Sequence, residues 1–493
     1  MHHLRRRELS AINAVTGSFA EHVPVVHLVG APSTSAQAAQ RIVHHSLGDG
    51  IFTHFLDMHR NVTCARAALT TANATAEIDR VLIAVRDRKL PGYLLLPTDV
   101  AATPASKPTD PLPPAQDYTD AAALAGFIDA ARRVIGAADD AGGVRLLAGL
   151  LVHRFGAAEQ LREITALGVP HASSAWAKSV VDESDPAFLG IYAGAASAPE
   201  VRTAIEDAPA LIVAGVEFTD LNSGFFTHQI PRARTIELGA DAASVGPALF
   251  GPISIGTALH ALAGIITELP PATARTTPAA SEPAGDTIDR PLSQEMLWSQ
   301  VTGFLQPGDI VVAEQGTSFY GMATHRIPSG VTFVGQPLWA SIGYTIPASL
   351  GAALAQPHRR TVLIVGDGAA QMTVQELSTA LHLLVDLVVV IVDNDGYTVE
   401  RAIHGPDQSY NDIASWDWTA LPAFIAPGVP AATHRATTTA QLATALHHTA
   451  TGTNRFTLIQ AVVPQMDVPD LLRDIAHAAA AANTQSQINQ PEV

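Results

Sequence analysis

Short apolar runs alternate along the chain with amphipathic stretches of helical period. Val23–Val29, Gly92–Leu96, Ala210–Val216, Thr361–Val365, Leu387–Val392 and Thr457–Val463 are strand candidates. Several are apolar on both faces, as central strands of a parallel sheet must be. Between them lie helical patterns such as Ala122–Ala137 and Val374–Leu384. Repeated strand–helix units of this kind predict an α/β fold with parallel sheets covered on both faces.

Two proline-rich stretches punctuate the pattern. Pro104–Gln116 holds five prolines in thirteen residues, and Leu269–Asp286 is rich in Pro, Ala and Thr. Neither can continue a helix, so both read as extended linkers. Three doubly wound parallel-sheet domains are therefore expected, at about 1–103, 117–268 and 287–480, followed by a polar, frayed tail at 481–493.

Composition narrows the function classes. The 493 residues are 47% hydrophobic and 15% charged, which excludes disorder over most of the length. A net charge of −17 disfavours a nucleic-acid partner, because phosphate contacts require a basic face. One cysteine excludes an internal disulfide framework and a multi-cysteine metal site. The most apolar stretch, Leu381–Val392, is interrupted by Asp386 and falls short of the ~20 residues a membrane span needs. The basic start, Met1–Arg7, has no apolar segment behind it, so a cytoplasmic location is expected.

The strongest chemical signal is Thr361–Val365 running into Gly366-Asp367-Gly368 and then a helical pattern over Gln371–Leu384. Glycines there let backbone N–H groups approach an anion. Taken alone, the same residues make an ordinary turn with an N-cap. The next strand, Leu387–Val392, ends in Asp393-Asn394-Asp395-Gly396-Tyr397. Two parallel strands would bring Asp367 and this loop to one sheet edge, where a carboxylate, an amide oxygen and a carbonyl suit Mg²⁺. Two ordinary polar loops would look the same.

Gly366-Asp367-Gly368 with Asn394 following 27 residues after Asp367 resembles the thiamine-diphosphate enzyme signature, with Asp393 where an asparagine is usual. The run Gly396–Gly405 and then Tyr410–Trp416 is similar to the 2-keto-acid decarboxylases, those for pyruvate, indolepyruvate, phenylpyruvate and branched-chain keto acids. Glu8–Ala20, His44–Gly50, Ala313–Ser318 and Gln336–Pro347 extend the likeness over nearly the whole chain. The resemblance implies non-oxidative decarboxylation of an aromatic or branched-chain 2-keto acid to an aldehyde and CO₂, with thiamine diphosphate and Mg²⁺ as cofactors. Such chemistry leaves negative charge on an acyl carbon that side chains cannot hold, and a thiazolium ring supplies the sink.

Carried over residue by residue, the resemblance assigns Asp367, Asn394 and the Gly396 carbonyl to the metal, and Gly368 and Ala369 to the diphosphate. Ile342 becomes the wedge under the cofactor and the Ala340 carbonyl an acceptor for its aminopyrimidine; Thr317, Tyr397 and Val399 lie close by. His44, His45 and Glu400 match the acid–base set. Without the family match Ile342 would read as core, the histidine pair as surface residues, and Glu400 as a carboxylate serving a helix start.

Relatives carry several tens of residues before the Glu8 stretch, so the first domain is expected to be truncated. The resemblance places an activating glutamate and an aspartate in that earlier part, and reads Glu8 as a different position. A catalytically impaired homologue that keeps the diphosphate–Mg²⁺ site is the alternative expectation. A carboligating relative of the acetolactate synthase kind is disfavoured by His44-His45 and by the Gly396–Glu400 run. A homodimer or homotetramer is implied. The middle segment reads as structural, because Gly215, Gly239 and Gly246 do not form a dinucleotide loop.

Overall fold

Valine- and isoleucine-rich runs bounded by glycine and polar residues form strands because branched side chains pack well on a pleated surface and are stiff in a helix. In the computed structural model, which describes residues 6–108, 110–138, 140–271 and 289–488, they build three sheets. The chain divides into two compact units, residues 1–118 and 119–493.

The first unit holds β1 (Val26–Ala31), β2 (Ala65–Ala68) and β3 (Gly92–Pro97), all parallel, in the order β1-β3-β2. The 15-residue helix Ala74–Arg88 buries Val81 and Val85 against it. Leu28 on the edge strand β1 is 53% exposed. A polar cluster lies inside this unit. Glu8 is buried and accepts the Tyr93 hydroxyl, and the rings of His27 and His59 lie 5.5 and 4.7 Å from that of Tyr93.

The second unit contains the other two sheets. The seven-stranded sheet comprises β4 (Val144–Ala148), β5 (His171–Ser174), β6 (Phe188–Tyr192), β7 (Ala210–Ala214), β8 (Thr235–Leu238), β9 (Ala243–Val245) and β10 (Ala248–Phe250). Its order is β10-β9-β8-β7-β4-β5-β6. The sheet is parallel except at one edge, where β9 runs antiparallel to both β8 and β10. The reason is local: β9 turns tightly into β10 through Gly246 at φ +56, and a two-residue connection can join only antiparallel strands.

The six-stranded sheet is parallel throughout. It holds β11 (Ile310–Ala313), β12 (Thr332–Val334), β13 (Thr361–Gly366), β14 (Leu387–Asp393), β15 (Ala432–Ala436) and β16 (Phe456–Val462), in the order β12-β11-β13-β14-β16-β15. β13 and β14 pair from Thr361↔Leu387 to Gly366↔Val392. Odd and even positions of both strands feed two separate cores, one through Val362, Ile364, Val388 and Val390, the other through Leu363, Val365, Val389 and Ile391. The helical pattern expected over 371–384 is two helices, Asp367–Thr373 and Glu376–His382. Bonds from Leu377 N to Val374 O and Ser378 N to Gln375 O tighten the break between them.

Much of the second stretch read as a linker, from residue 272 on, lies outside the described residues, as do 1–5 and 489–493. The last helix, Asp470–Ile488, continues past 480, where a frayed tail was expected. Within the second unit a buried ion pair bridges the two sheets' neighbourhoods. Lys178 and Glu183, each side chain 1% exposed, meet at 2.8 Å. Lys178 Nζ also donates to the carbonyls of Ala323 and His325, and Glu183 accepts Ile327 N.

Candidate active site

Parallel β11, β13 and β14 all end on the same edge, and the chain reverses direction across the sheet between β11 and β13. Ligands of open α/β sheets bind at such a switch point, beyond the strands' carboxyl ends. Here the three strands deliver Glu314, Asp367 and Asn394.

Asp367, 2% exposed, opens the helix that follows β13. Its Oδ1 accepts Gly368 N at 2.7 Å, and its Oδ2 accepts Gly396 N at 3.1 Å and Asn394 N at 3.3 Å. Burial pushes its carboxyl up to about 7, against the pull of the Gly368 N–H; the Asp393 carboxylate raises it further. Its surroundings thus hold N–H donors and a second carboxylate, a buried anion suited to a compensating cation.

The Asn394 carboxamide completes the picture. With nitrogen turned inward it donates to Gly396 O at 2.9 Å and Asp367 Oδ1 at 3.3 Å, while its oxygen accepts the Thr398 hydroxyl at 3.0 Å. With oxygen turned inward, three oxygens from Asp367, Asn394 and Gly396 converge, an arrangement that a bound cation would stabilise. Asp, amide and carbonyl oxygens are the donors that Mg²⁺ accepts. Gly396, at φ +120, is obligatory, because a Cβ there would lie 2.1 Å from Asn411 O. Asp393 accepts Gln460 Nε2 at 2.6 Å.

The other assigned residues gather around this edge. A Cβ on Gly368 would meet the Tyr397 ring at 2.6 Å, so the ring lies flush on the helix start. Val399 Cγ1 lies 3.8 Å from the Cβ position of Gly316, directly before Thr317, which is buried and begins the helix Thr317–Ala323. The turn carrying Ala340 and Ile342 packs on the helix of Asp367: Gly343 approaches Ala369 O, and its carbonyl accepts Thr373 Oγ1 at 2.7 Å. Ile342 is half-buried against the core beneath this edge. Ala340 adopts φ +53, a left-handed conformation costing a non-glycine residue about 1–2 kcal/mol, so the turn is held from outside.

Glu400 stands in the helix Thr398–His404, 46% exposed, with its carboxylate 3.5 Å from His404 Nε2. His44 and His45 belong to the first unit. Their rings meet edge-on with centroids 4.7 Å apart, His45 at φ +61, in a turn where Asp49 pairs with His54 at 2.6 Å.

Two residues escaped the sequence reading. Glu314 is buried beneath the Ala340–Gly343 turn. Arg401, 2% exposed, binds Asp395 O in the loop after β14 at 3.0 Å and Asn411 O at 3.1 Å. Each is a charged residue that burial marks out and that composition or periodicity does not.

Comparison with known proteins identifies the family. The family described as "Thiamine pyrophosphate enzyme, C-terminal TPP binding domain" matches residues 316–461, and "Thiamine pyrophosphate enzyme, central domain" matches residues 131–259. The chain is 52% identical over 473 residues to an alpha-keto-acid decarboxylase of Mycobacterium ulcerans (strain Agy99), covering 95% of this chain and 82% of the relative. It is 52% identical over 474 residues to that of Mycobacterium avium (strain 104), covering 95% and 83%. The corresponding Mycobacterium tuberculosis (strain H37Rv) protein is 52% identical over 476 residues, covering 96% and 84%. With sheets, sheet edge and sequence in agreement, the chain belongs to the thiamine-diphosphate-dependent 2-keto-acid decarboxylases and is a carboxy-lyase.

Proposed function

We propose that this chain converts an aromatic or branched-chain 2-keto acid to the aldehyde and CO₂ in a Mg²⁺-dependent reaction. The observation that carries the metal is the convergence of Asp367, Asn394 and Gly396 at the carboxyl edge of the six-stranded sheet. The relatives' name, alpha-keto-acid decarboxylase, supports the substrate class. The indolepyruvate-like run from Glu400 to Trp416 supports a bulky side chain.

Thiamine diphosphate supplies the electron sink for the acyl carbanion when bound. The protein's part is binding, orientation and proton movement. Asp367, Asn394 and the Gly396 carbonyl hold Mg²⁺, and Gly368 and Ala369 lie against the diphosphate. Ile342 supports the cofactor from below, the Ala340 carbonyl accepts from its aminopyrimidine, and Thr317, Tyr397 and Val399 enclose it. His44, His45 and Glu400 move protons to and from the reacting carbon. Domains at 1–103, 117–268 and 287–480, a homodimer or homotetramer and a cytoplasmic location belong to the same reading.

Aldehyde release from phenylpyruvate, with Mg²⁺ and thiamine diphosphate added, tests it. Turnover is expected, and Asp367→Ala is expected to abolish cofactor binding in titration calorimetry. No aldehyde from a folded sample, or undiminished affinity in Asp367→Ala, would refute it.

A further inference from the structure

The turn Gln336–Thr345 has two positive-φ residues, Ala340 at +53 and Gly343 at +85, and lies between β11 and the helix Asp367–Thr373. Such a turn does not hold its shape alone. One buried carboxylate reaches it. Glu314 Oε2 accepts Gly343 N at 3.0 Å and the Thr345 hydroxyl at 2.7 Å, while Oε1 accepts Gln315 N at 3.0 Å. The far side of Gly343 is held as well, by Thr373 Oγ1 on its carbonyl. Glu314 is itself fixed: its backbone N–H donates to Ile364 O on β13 at 2.8 Å, and its carbonyl accepts Phe319 N at 3.0 Å.

From this geometry we infer that Glu314 is a positioning residue, a clamp that sets the Ala340–Gly343 turn against the helix of Asp367. Gly343 is the shared link, its N–H held by Glu314 and its C=O by Thr373. One carboxylate therefore ties together β11, the turn with Ala340 and Ile342, and the helix with Gly368 and Ala369. Burial raises the Glu314 carboxyl above its ordinary range, while the Thr345 hydroxyl and the Gly343 and Gln315 N–H groups draw it back down. The seat is shaped before any ligand arrives, and preorganisation of this kind is recovered as affinity. The inference rests on the reading of Ala340 and Ile342 as the cofactor's seat.

Two readouts on the full chain test it. The first is amide hydrogen exchange of residues 336–345 in cofactor-free protein. The second is thiamine diphosphate affinity with Mg²⁺ by calorimetry. Glu314→Ala is expected to speed exchange and weaken binding by about tenfold or more, the loss of one to two buried hydrogen bonds. Glu314→Gln is expected to fall between wild type and alanine, because its amide oxygen still accepts Gly343 N and the Thr345 hydroxyl while its NH2 group can no longer accept Gln315 N. Unchanged exchange and affinity in a folded Glu314→Ala protein would overturn the clamp, as would Glu314→Gln failing as badly as alanine. If the alanine variant does not fold, Thr345→Val decides. It removes one donor from the same oxygen, should shift both readouts by about threefold, and overturns the clamp if neither moves. If the wild-type chain binds no cofactor, the cofactor-site reading falls, and the exchange comparison still decides the clamp.

Discussion

Replacing Arg401 with methionine should weaken cofactor binding without touching a single proposed ligand. The guanidinium is 2% exposed, and its Nη2 serves Asp395 O, Asn411 O and, at 2.7 Å, Asp412 Oδ1. These partners are not equivalent. The Asp412 side chain is 68% exposed, so that ion pair is screened by water and contributes little. Asn411 O keeps a second donor, Tyr397 N at 3.0 Å, after the arginine is gone. Asp395 O keeps only Gln465 Nε2 at 3.4 Å, a long contact. One backbone carbonyl of the loop after β14 is thus left short of a partner, costing about 1–3 kcal/mol. Against this, Arg401 Nη1 is buried with no hydrogen-bond partner in the structure, so removing the guanidinium also relieves a desolvation cost. A net loss of about 1.4–2 kcal/mol, carried by the 394–397 loop, corresponds to affinity about tenfold to thirtyfold weaker. Titration of thiamine diphosphate at fixed Mg²⁺ measures it. An affinity within about twofold of wild type, in a variant that melts normally, would show that the loop does not depend on Arg401.

Other outcomes follow from the same structure. Glu400→Gln should slow turnover by about 10²–10⁴-fold with cofactor affinity nearly unchanged; full activity would remove Glu400 from the proton-transfer set. Lys178→Met should destabilise the second unit by about 3–5 kcal/mol, because it strands Glu183 in the interior, and Lys178→Met with Glu183→Leu should recover most of the loss in denaturant unfolding. A double variant as unstable as the single one would contradict that reasoning. In the first unit, burial and then His59 lower His27 to about 4. The unfolded chain, with an ordinary value near 6.5, therefore binds the proton more tightly. His27's contribution is complete above pH 6.5 and is lost as pH falls toward 4. His27→Phe should flatten that part of a stability–pH profile, and an unchanged slope would exclude His27 as its source.

The pairing of Asp367 with the Asn394 loop was legible because two strong signals coincide: apolar strands buried on both faces, each ending in Gly and Asp or Asn. Asp367 and Asn394 could be set side by side once β13 and β14 were read as parallel neighbours. Glu314 and Arg401 carry no such signal. Glu314 bonds to Gly343 and Thr345, 29 and 31 residues on, and its partners are a backbone N–H and a hydroxyl that no side-chain pattern announces. The antiparallel β9 and β10 are three residues each, too short for a periodic pattern to register. The break at Val374–Gln375 is likewise invisible to a helical period that stays in phase across it.

Lys178 and Glu183 bear on how such proteins could be recombined. Both charges belong to the segment after β5, yet three of the polar groups they satisfy, Ala323 O, His325 O and Ile327 N, belong to the neighbourhood of the six-stranded sheet. A chimera that swapped the middle region alone would inherit either two buried charges without their sockets or sockets without their charges. The workable crossover takes the 178–183 loop and the 323–327 segment together. Inheritance in this region is therefore constrained to a pair of stretches distant in sequence, not to a domain drawn at its linkers.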